Sequence, residues 1–278
     1  MLTGTYLTAH AAALPSAATA TYQLANLTRL LGPQRFVAEL TGADIIDYRA
    51  KRKGEGVSNS SVNRELQTFR AATNYCRKHY GQVMPAIEWK GLFLKEPAWR
   101  TRFLSPDEFA ALSAACDDEL RTIILIAVST GLRKANIETL ACDQVSLELR
   151  KADVIVKGGD RHTVKLNASV VAALARYNDR TGRIFKLPNR RKRFAAAVAA
   201  AGIVNFRFHD LRHTFASWAR MAGADIADIK EALHHSEVGM TMRYAHVTPD
   251  SHRTAFDAVA DLFLPVAKIP LDAVGQQG

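Results

Sequence analysis

Arginine, histidine and tyrosine grouped closely are the side chains with which a protein can handle a phosphodiester using its own groups. The stretch 209–244 sets His209 and Arg212 one helical turn apart, follows with the pair His234 and His235, and ends in the dipeptide Arg243-Tyr244. A tyrosine can attack phosphorus because its phenolate is a reasonable leaving group, which keeps the covalent step reversible. With an ordinary pKa of about 10, it has to be activated by nearby cations or a base. Arginine suits the cation role because its planar fork stays charged and matches two phosphate oxygens. His209 and His213 also have the four-residue spacing of helical metal ligands, but no HExxH or carboxylate cluster accompanies them. Neither a metal nor another cofactor is therefore expected.

Such a site needs elements to hold it and a surface to hold its substrate. The chain has 278 residues, 48% of them hydrophobic, enough for two cored domains. Its formal net charge of +10 points to a polyanionic partner, since clustered Lys and Arg displace the counterions condensed on nucleic acid. Cys76, Cys116 and Cys142 are scattered and odd in number, so reduced structural thiols are expected rather than a disulfide framework. The apolar run Ile123 to Val128 is too short for a bilayer, and the N-terminal residues lack a secretory pattern. No membrane partner is expected, and the location expected is cytoplasmic, on a bacterial nucleoid or in a phage-infected cell.

Residues 1–85 read as helices broken near Pro15, at Gly32-Pro33, at Gly42 and at the KRKGEG turn of 51–56. Within them, Val62, Leu66, Phe69, Ala72, Tyr75 and Cys76 form a helical stripe that Gly81 can end. The opposite face carries Arg64, Arg70, Arg77 and Lys78, candidates for DNA-backbone contact. Residues 86–102 lose the period and read as an interdomain linker, leading to a second domain over 103–278. Ser105, Pro106 and Glu108 form a capped helix start for a helix to about Asp117. Arg121 to Leu140 reads as an apolar helix, a glycine break and a second helix opening at Leu132-Arg133. DVIVK and HTVKL alternate around Gly158-Gly159-Asp160 as a hairpin, with a weak earlier strand near 144–147. Helical spacing returns over 168–201. The stretch 150–193 holds 13 Lys or Arg against 3 Asp, and its run Arg190, Arg191, Lys192, Arg193 offers electrostatic grip.

In order along the chain, TGLR ends at Arg133, a hairpin lysine stands at Lys157, HDLRHTFAS carries His209 and Arg212, LHHS carries His235, and TMRYAHV carries Tyr244. The separations are 24 residues from Arg133 to Lys157, 23 from Arg212 to His235 and 9 from His235 to Tyr244. This ordered set resembles the tyrosine recombinases, or phage integrases. VNREL at 62–66 and RTRFLSPDEF at 100–109 extend the resemblance, less specifically, to that family's helical core-binding domain and its exit. The chain departs from the pattern in having His234 where the family usually has glycine, KGGDRH in the hairpin, and Asn136 where many members are acidic.

The resemblance implies a mainly α fold with a small antiparallel hairpin or three-stranded sheet, arranged as a two-domain C-shaped clamp on double-stranded DNA. A helical, SAM-like core-binding domain over 1–85 would precede the catalytic domain, with no separate arm-binding domain ahead of it. Arg133 and Arg212 would clamp the scissile phosphate, and His209 would assist with phosphate and the tyrosine proton. Lys157 would protonate the leaving 5′ oxygen, His235 would donate to the phosphate, and Tyr244 would form the 3′-phosphotyrosyl bond. Four protomers would exchange strands through a Holliday junction, with the segment from about 250 docking on a neighbour and accessory DNA-bending or directionality proteins as further partners. In that segment Ala255, Phe256, Val259, Leu262 and Phe263 form an apolar stripe suited to docking. Two other activities compete with recombination: type IB topoisomerase-like nicking and closing, and silent DNA binding on the same fold.

Overall fold

The computed structural model describes residues 2–14, 16–156, 159–177, 181–186, 188–235 and 237–245, and the chain divides into two units after Ala98. The first unit consists of α1 (Leu2–Ala9), α2 (Ala17–Leu31), α3 (Gly42–Gly54) and α4 (Asn59–Tyr80) around one core. α4 begins where the Ser58 side chain accepts from Ser61 N, and ends at Gly81, whose φ of 60° permits the left-handed turn. Its buried face is Val62, Leu66, Phe69, Ala72 and Cys76, while Arg64, Arg70, Arg77 and Lys78 are exposed.

The punctuation of α3 differs from the sequence expectation. Gly42 opens the helix behind a Thr41 and Asp44 capping box, and the KRKG residues form its last turn. That turn is helical because Arg52 is drawn inward: its Nε and Nη2 donate to Glu65 at 2.9 and 2.5 Å, and Tyr48 Oη donates to the same carboxylate at 2.6 Å. A buried carboxylate with three such donors is tied to its neighbours in one geometry. The VNREL string is thus structural. Val62 and Leu66 fill the core, Glu65 anchors α3, and Asn63 exchanges 2.8 Å hydrogen bonds with the backbone of Leu94. Residues 87–94 consequently lie on the first core through Ile87, Trp89, Leu92, Phe93 and Leu94.

The second unit has α5 (Pro106–Ala114), α6 (Asp118–Thr130), α7 (Lys134–Thr139), strands β1 (Val145–Ser146), β2 (Lys151–Ile155) and β3 (Arg161–Lys165), then α8 (Ala168–Ala175), α9 (Arg190–Ala200), α10 (Asp210–Met221), α11 (Ile226–Leu233) and α12 (Gly239–Met242). The sheet is antiparallel in the order β1-β2-β3, with Val154 opposite His162 and Ile155 opposite Arg161. α5 has the expected Ser105–Glu108 capping box but ends at Ala114, and the Asp117 side chain instead caps α6 by accepting from Leu120 N. The expected helical run over 168–201 is two helices, separated by residues that place Ile184 and Phe185 in the core.

α6 is apolar on most of its circumference because it is the centre of this core, packed against α10, α8 and α9. The entry segment is stitched to α10. Leu104 N donates to Thr214 Oγ1 at 3.0 Å, Trp218 Nε1 donates to Leu104 O at 2.9 Å, and Arg100 grips the buried Asp210 carboxylate at 2.7 to 3.0 Å. Residues 246–278, with the apolar stripe of the C-terminal segment, lie outside the described residues, as do Lys157 and Gly158 in the hairpin.

Candidate active site

Arg212 stands in the first turn of α10, only 6% exposed, and its guanidinium bridges the ends of two other helices. Nη1 donates to Gly131 O, just past α6, at 2.5 Å, and Nη2 donates to Leu233 O at the end of α11. Helix C-termini carry unsatisfied carbonyls and partial negative charge, so they are the natural seat for a buried cation. Burial and the neighbouring Arg133 still pull its pKa down to about 10, which leaves it charged at neutral pH. Two of its five donors hold the backbone in this way.

Arg133 follows from the same break. Gly131 turns the chain at φ 65°, and Arg133, two residues on, is the residue that precedes α7. It is half-buried, pairs with no carboxylate among the described residues, and lies close enough to depress Arg212, His209 and His235 electrostatically. Asn136, where an acidic partner for an arginine was absent from the sequence, serves the scaffold instead: its Nδ2 donates to Ile155 O at 2.6 Å and ties α7 to β2.

His235 is delivered by a Schellman turn at the end of α11, in which His235 N donates to Lys230 O and His234 N to Glu231 O. His234 occupies the left-handed position at φ 48°, the place glycine would take without strain. Its side chain is exposed, with the ring 5.0 Å from that of His162 on β3. His235 Nδ1 is 2.8 Å from the buried Thr241 Oγ1, which orients the ring. Burial, then Arg212 and Arg133, bring its pKa down to about 4.

Tyr244 is 3% exposed and belongs to a small cluster with Ala216, Ile229 and Leu233. Its hydroxyl is 2.5 Å from Nδ1 of His213. His213 is itself buried, and burial together with His209 takes its pKa down to about 4. His209, immediately before α10, keeps an open surface, but its ring lies edge-on against His213 with centroids 5.3 Å apart. Surrounding protein and the positive charge of Arg212 lower its pKa as well. Desolvation raises the Tyr244 pKa, while Arg243 and Arg212 act in the opposite sense.

Arg133, His209, Arg212, His235 and Tyr244 therefore come together from four places in the second unit; Lys157 lies outside the described residues. Two neighbours had no role in the sequence reading. His213 touches the tyrosine, and Arg243 adds positive charge felt by Arg212, His209, His213, His235 and Tyr244. Arg243 is held by its Nε bond to Met240 O at 2.7 Å and by the face of Trp99, 4.4 Å from its guanidinium carbon. Their adjacency to Arg212 and Tyr244 was the available signal. In the basic run, Arg190 pairs with Glu138 at 3.1 Å and Arg193 with Asp117, while Arg191 and Lys192 are exposed. Among the described residues, no three His, Cys, Asp or Glu side chains are grouped to hold a metal ion, and no helix is long and apolar enough to cross a membrane.

Two neutral histidines, His213 buried and His235 half-buried, make stability pH-dependent. His213 and His235 have folded pKa values near 4, against about 6.5 for an unperturbed imidazole, so the unfolded chain takes up protons first on acidification. Their contribution is complete above about pH 6.5 and is lost as the pH falls toward 4. Thermal melts between pH 7.5 and 5, a window above most carboxylate titrations, are expected to show a falling midpoint; a flat profile would contradict the burial of these rings as neutral species.

A mainly helical unit with a small three-stranded antiparallel sheet is the fold of a tyrosine recombinase catalytic domain. The phage integrase family model matches residues 102–251, and the chain belongs to that family. The integrase of Haemophilus phage HP1 is 31% identical over 250 residues, covering 84% of this chain and 72% of that protein. The integrase of Salmonella phage P22 is 31% identical over 219 residues, covering 64% of this chain. The chain spans 54% of the P22 protein and 61% and 63% of the integrases of Escherichia phages 186 and P2. Among solved structures, the catalytic domain of HP1 integrase aligns at 32% identity and TM-score 0.50, over 60% of this chain and 96% of that domain. The Tn1549 transposon integrase shares the fold at TM-score 0.73 and 18% identity, over 93% of this chain and 98% of that one.

Proposed function

We propose that this chain is a site-specific DNA recombinase of the integrase type, cutting and rejoining strands through a covalent bond between Tyr244 and a 3′ phosphate. The observation that carries this reading is the convergence of Arg133, Arg212, His209 and His235 around a tyrosine from elements far apart in sequence. A site with several cations, whose one nearby carboxylate, Asp210, is engaged by Arg100, is matched to an anionic group and to the charge that builds on its oxygens in the transition state. Tyr244 Oη attacks phosphorus as the bond to the 5′ oxygen breaks, Lys157 supplies the proton to that oxygen, and Arg133 and Arg212 hold the nonbridging oxygens, with His209 and His235 adding hydrogen bonds. The reverse reaction, with a different 5′ hydroxyl, rejoins the strand.

The partner is double-stranded DNA. Structures of Tn1549 integrase with circular intermediate DNA and of XerH with its difH substrate are complexes of relatives that share this fold. The net charge of +10 and the exposed Arg64, Arg70, Arg77, Lys78, Arg191 and Lys192 support phosphate contacts from both units, residues 1–85 acting as a core-binding domain and 103–278 as the catalytic one. In this reading the two close as a clamp, and four protomers exchange strands through a Holliday junction, with the segment from about 250 docking on a neighbour.

The test is covalent capture. Nicked duplexes made from the DNA flanking the chain's own coding sequence are incubated with the protein, denatured, and the covalent complexes sequenced at their junctions. One recurring junction linked to Tyr244 through a 3′ phosphate is expected; no covalent species, or linkage to another residue, would sink the reading. Because the charge is handled by side chains, adduct yield is expected to stay within about twofold in EDTA, and a loss of cleavage on chelation would contradict the proposed chemistry.

A further inference from the structure

We propose that His213, a residue to which the sequence pattern assigned no role, is the group that holds the Tyr244 hydroxyl and accepts its proton when the nucleophile attacks. The proposal rests on the recombinase reading above and moves the destination of the tyrosine proton from His209, which the resemblance implied, to His213.

Three histidines belong to the site, and their geometry separates them. His235 Nδ1 is engaged by Thr241, and the His209 ring packs edge-on against His213. His213 Nδ1 meets the Tyr244 hydroxyl directly, at 2.5 Å, with both side chains buried. A general base has to lie within hydrogen-bond reach of the proton it takes, and here the contact is already formed in the free protein. His213 lies on the turn of α10 that also carries Arg212, so the phosphate cation and the proton acceptor share one rigid support.

The charges facing His213 explain why the pair is quiet without DNA. His209, Asp210 and Arg212 come from its own helix, Arg243 and Tyr244 from the segment after α12, and His235 from the turn after α11. Of these only Asp210 is acidic, and it is engaged by Arg100. Burial and the cations keep His213 neutral and a weak base, with Tyr244 protonated beside it. A scissile phosphate seated on Arg133 and Arg212 brings negative charge to the same place, which raises the basicity of the imidazole. The bond from Tyr244 Oη to phosphorus then forms as the bond to the 5′ oxygen breaks, and the phenolic proton moves to Nδ1 of His213. On rejoining, the same imidazolium returns its proton to the departing phenolate.

The step requires the tautomer with the proton on Nε2, so that Nδ1 accepts. Nitrogen-15 spectra of the DNA-free protein, labelled at histidine, are expected to show an unprotonated Nδ1 for His213 at pH 7 whose shift moves in Tyr244→Phe. A protonated Nδ1 there would overturn the proposal without any DNA substrate. With the duplex recovered by covalent capture, His213→Gln, which keeps a hydrogen-bonding group but cannot serve as the base, is expected to bind the duplex with unchanged affinity. Its single-turnover cleavage should be slower by about 100-fold or more, within the usual range for general-base catalysis. The deficit should narrow as the pH rises above about 9, where hydroxide takes over the proton, whereas a merely structural defect would persist at every pH. His213→Asn serves if the glutamine variant melts early. Wild-type rates and an unchanged pH profile in a folded variant overturn the proposal alone; absence of any wild-type adduct overturns the recombinase reading and this proposal with it.

Discussion

Tyr244→Phe is expected to abolish the covalent adduct at every time point while leaving binding to the nicked duplex within about threefold of wild type, less than 1.4 kcal/mol. The substitution removes one oxygen from a side chain that is 3% exposed, so its packing against Ala216, Ile229 and Leu233 is retained. It also leaves His213 Nδ1 without its 2.5 Å partner, a loss of about 1 kcal/mol in stability for a buried hydrogen bond. A melt lowered by a few degrees should therefore accompany the chemical defect without explaining it. Gel separation of denatured protein–DNA complexes, beside a native binding titration, distinguishes the two effects. A persistent adduct in the variant would remove Tyr244 as the nucleophile.

Gly131→Ala is expected to be the most damaging small substitution in the second unit. An added Cβ would stand 2.5 Å from Phe215 Cδ1 and 2.6 Å from Leu233 Cδ2, in backbone already at φ 65°. The left-handed conformation costs an alanine about 1–2 kcal/mol, and overpacking a filled core adds about 1–3 kcal/mol. For a unit of this size that corresponds to a melting point lower by roughly 5–15 °C. The damage also reaches the site, because Gly131 O holds Arg212 Nη1 and Leu233 O holds Nη2, and Leu233 is one of the two residues the methyl would displace. Adduct yield should fall even at temperatures where the variant is folded. A melting point within 2 °C of wild type would show that the core yields around the methyl and that the carbonyl seat of Arg212 is not rigid.

Gly131 also marks where reading residues in order succeeds and where it stops. TGLR was legible because a glycine after an apolar helix has one common use, to turn the chain, and because an arginine just beyond it is unusual enough to notice. That the glycine's carbonyl would seat another arginine, 81 residues later, was not legible, since a backbone acceptor has no residue type. His213 was read only as one of a histidine pair with metal-like spacing; its contact with Tyr244 joins residues 31 apart, one on α10 and the other in the segment after α12. Arg52 and Glu65 show the same limit in the first unit: KRKGEG looked like a surface turn until a carboxylate from the next helix drew its arginine inside. His234 is the reverse case, where an unexpected residue type takes the left-handed turn position itself, at φ 48°, with its exposed ring beside His162.

By itself the sequence determined what local rules govern. Those were the apolar stripe of α4, the capped start of α5, the glycine after α6, the hairpin strands, and the ordered arginines, histidines and tyrosine that place the chain in its family. Each depends on residues within a few positions of one another, or on a pattern of types that needs no coordinates. Only the tertiary structure decided which partners those residues have: two helix ends for Arg212, His213 for Tyr244, Trp99 for Arg243, and Glu138 and Asp117 for half of the basic run. Burial and charge act through space, so whether a histidine is neutral or an arginine is free depends on neighbours supplied by packing rather than by position in the chain.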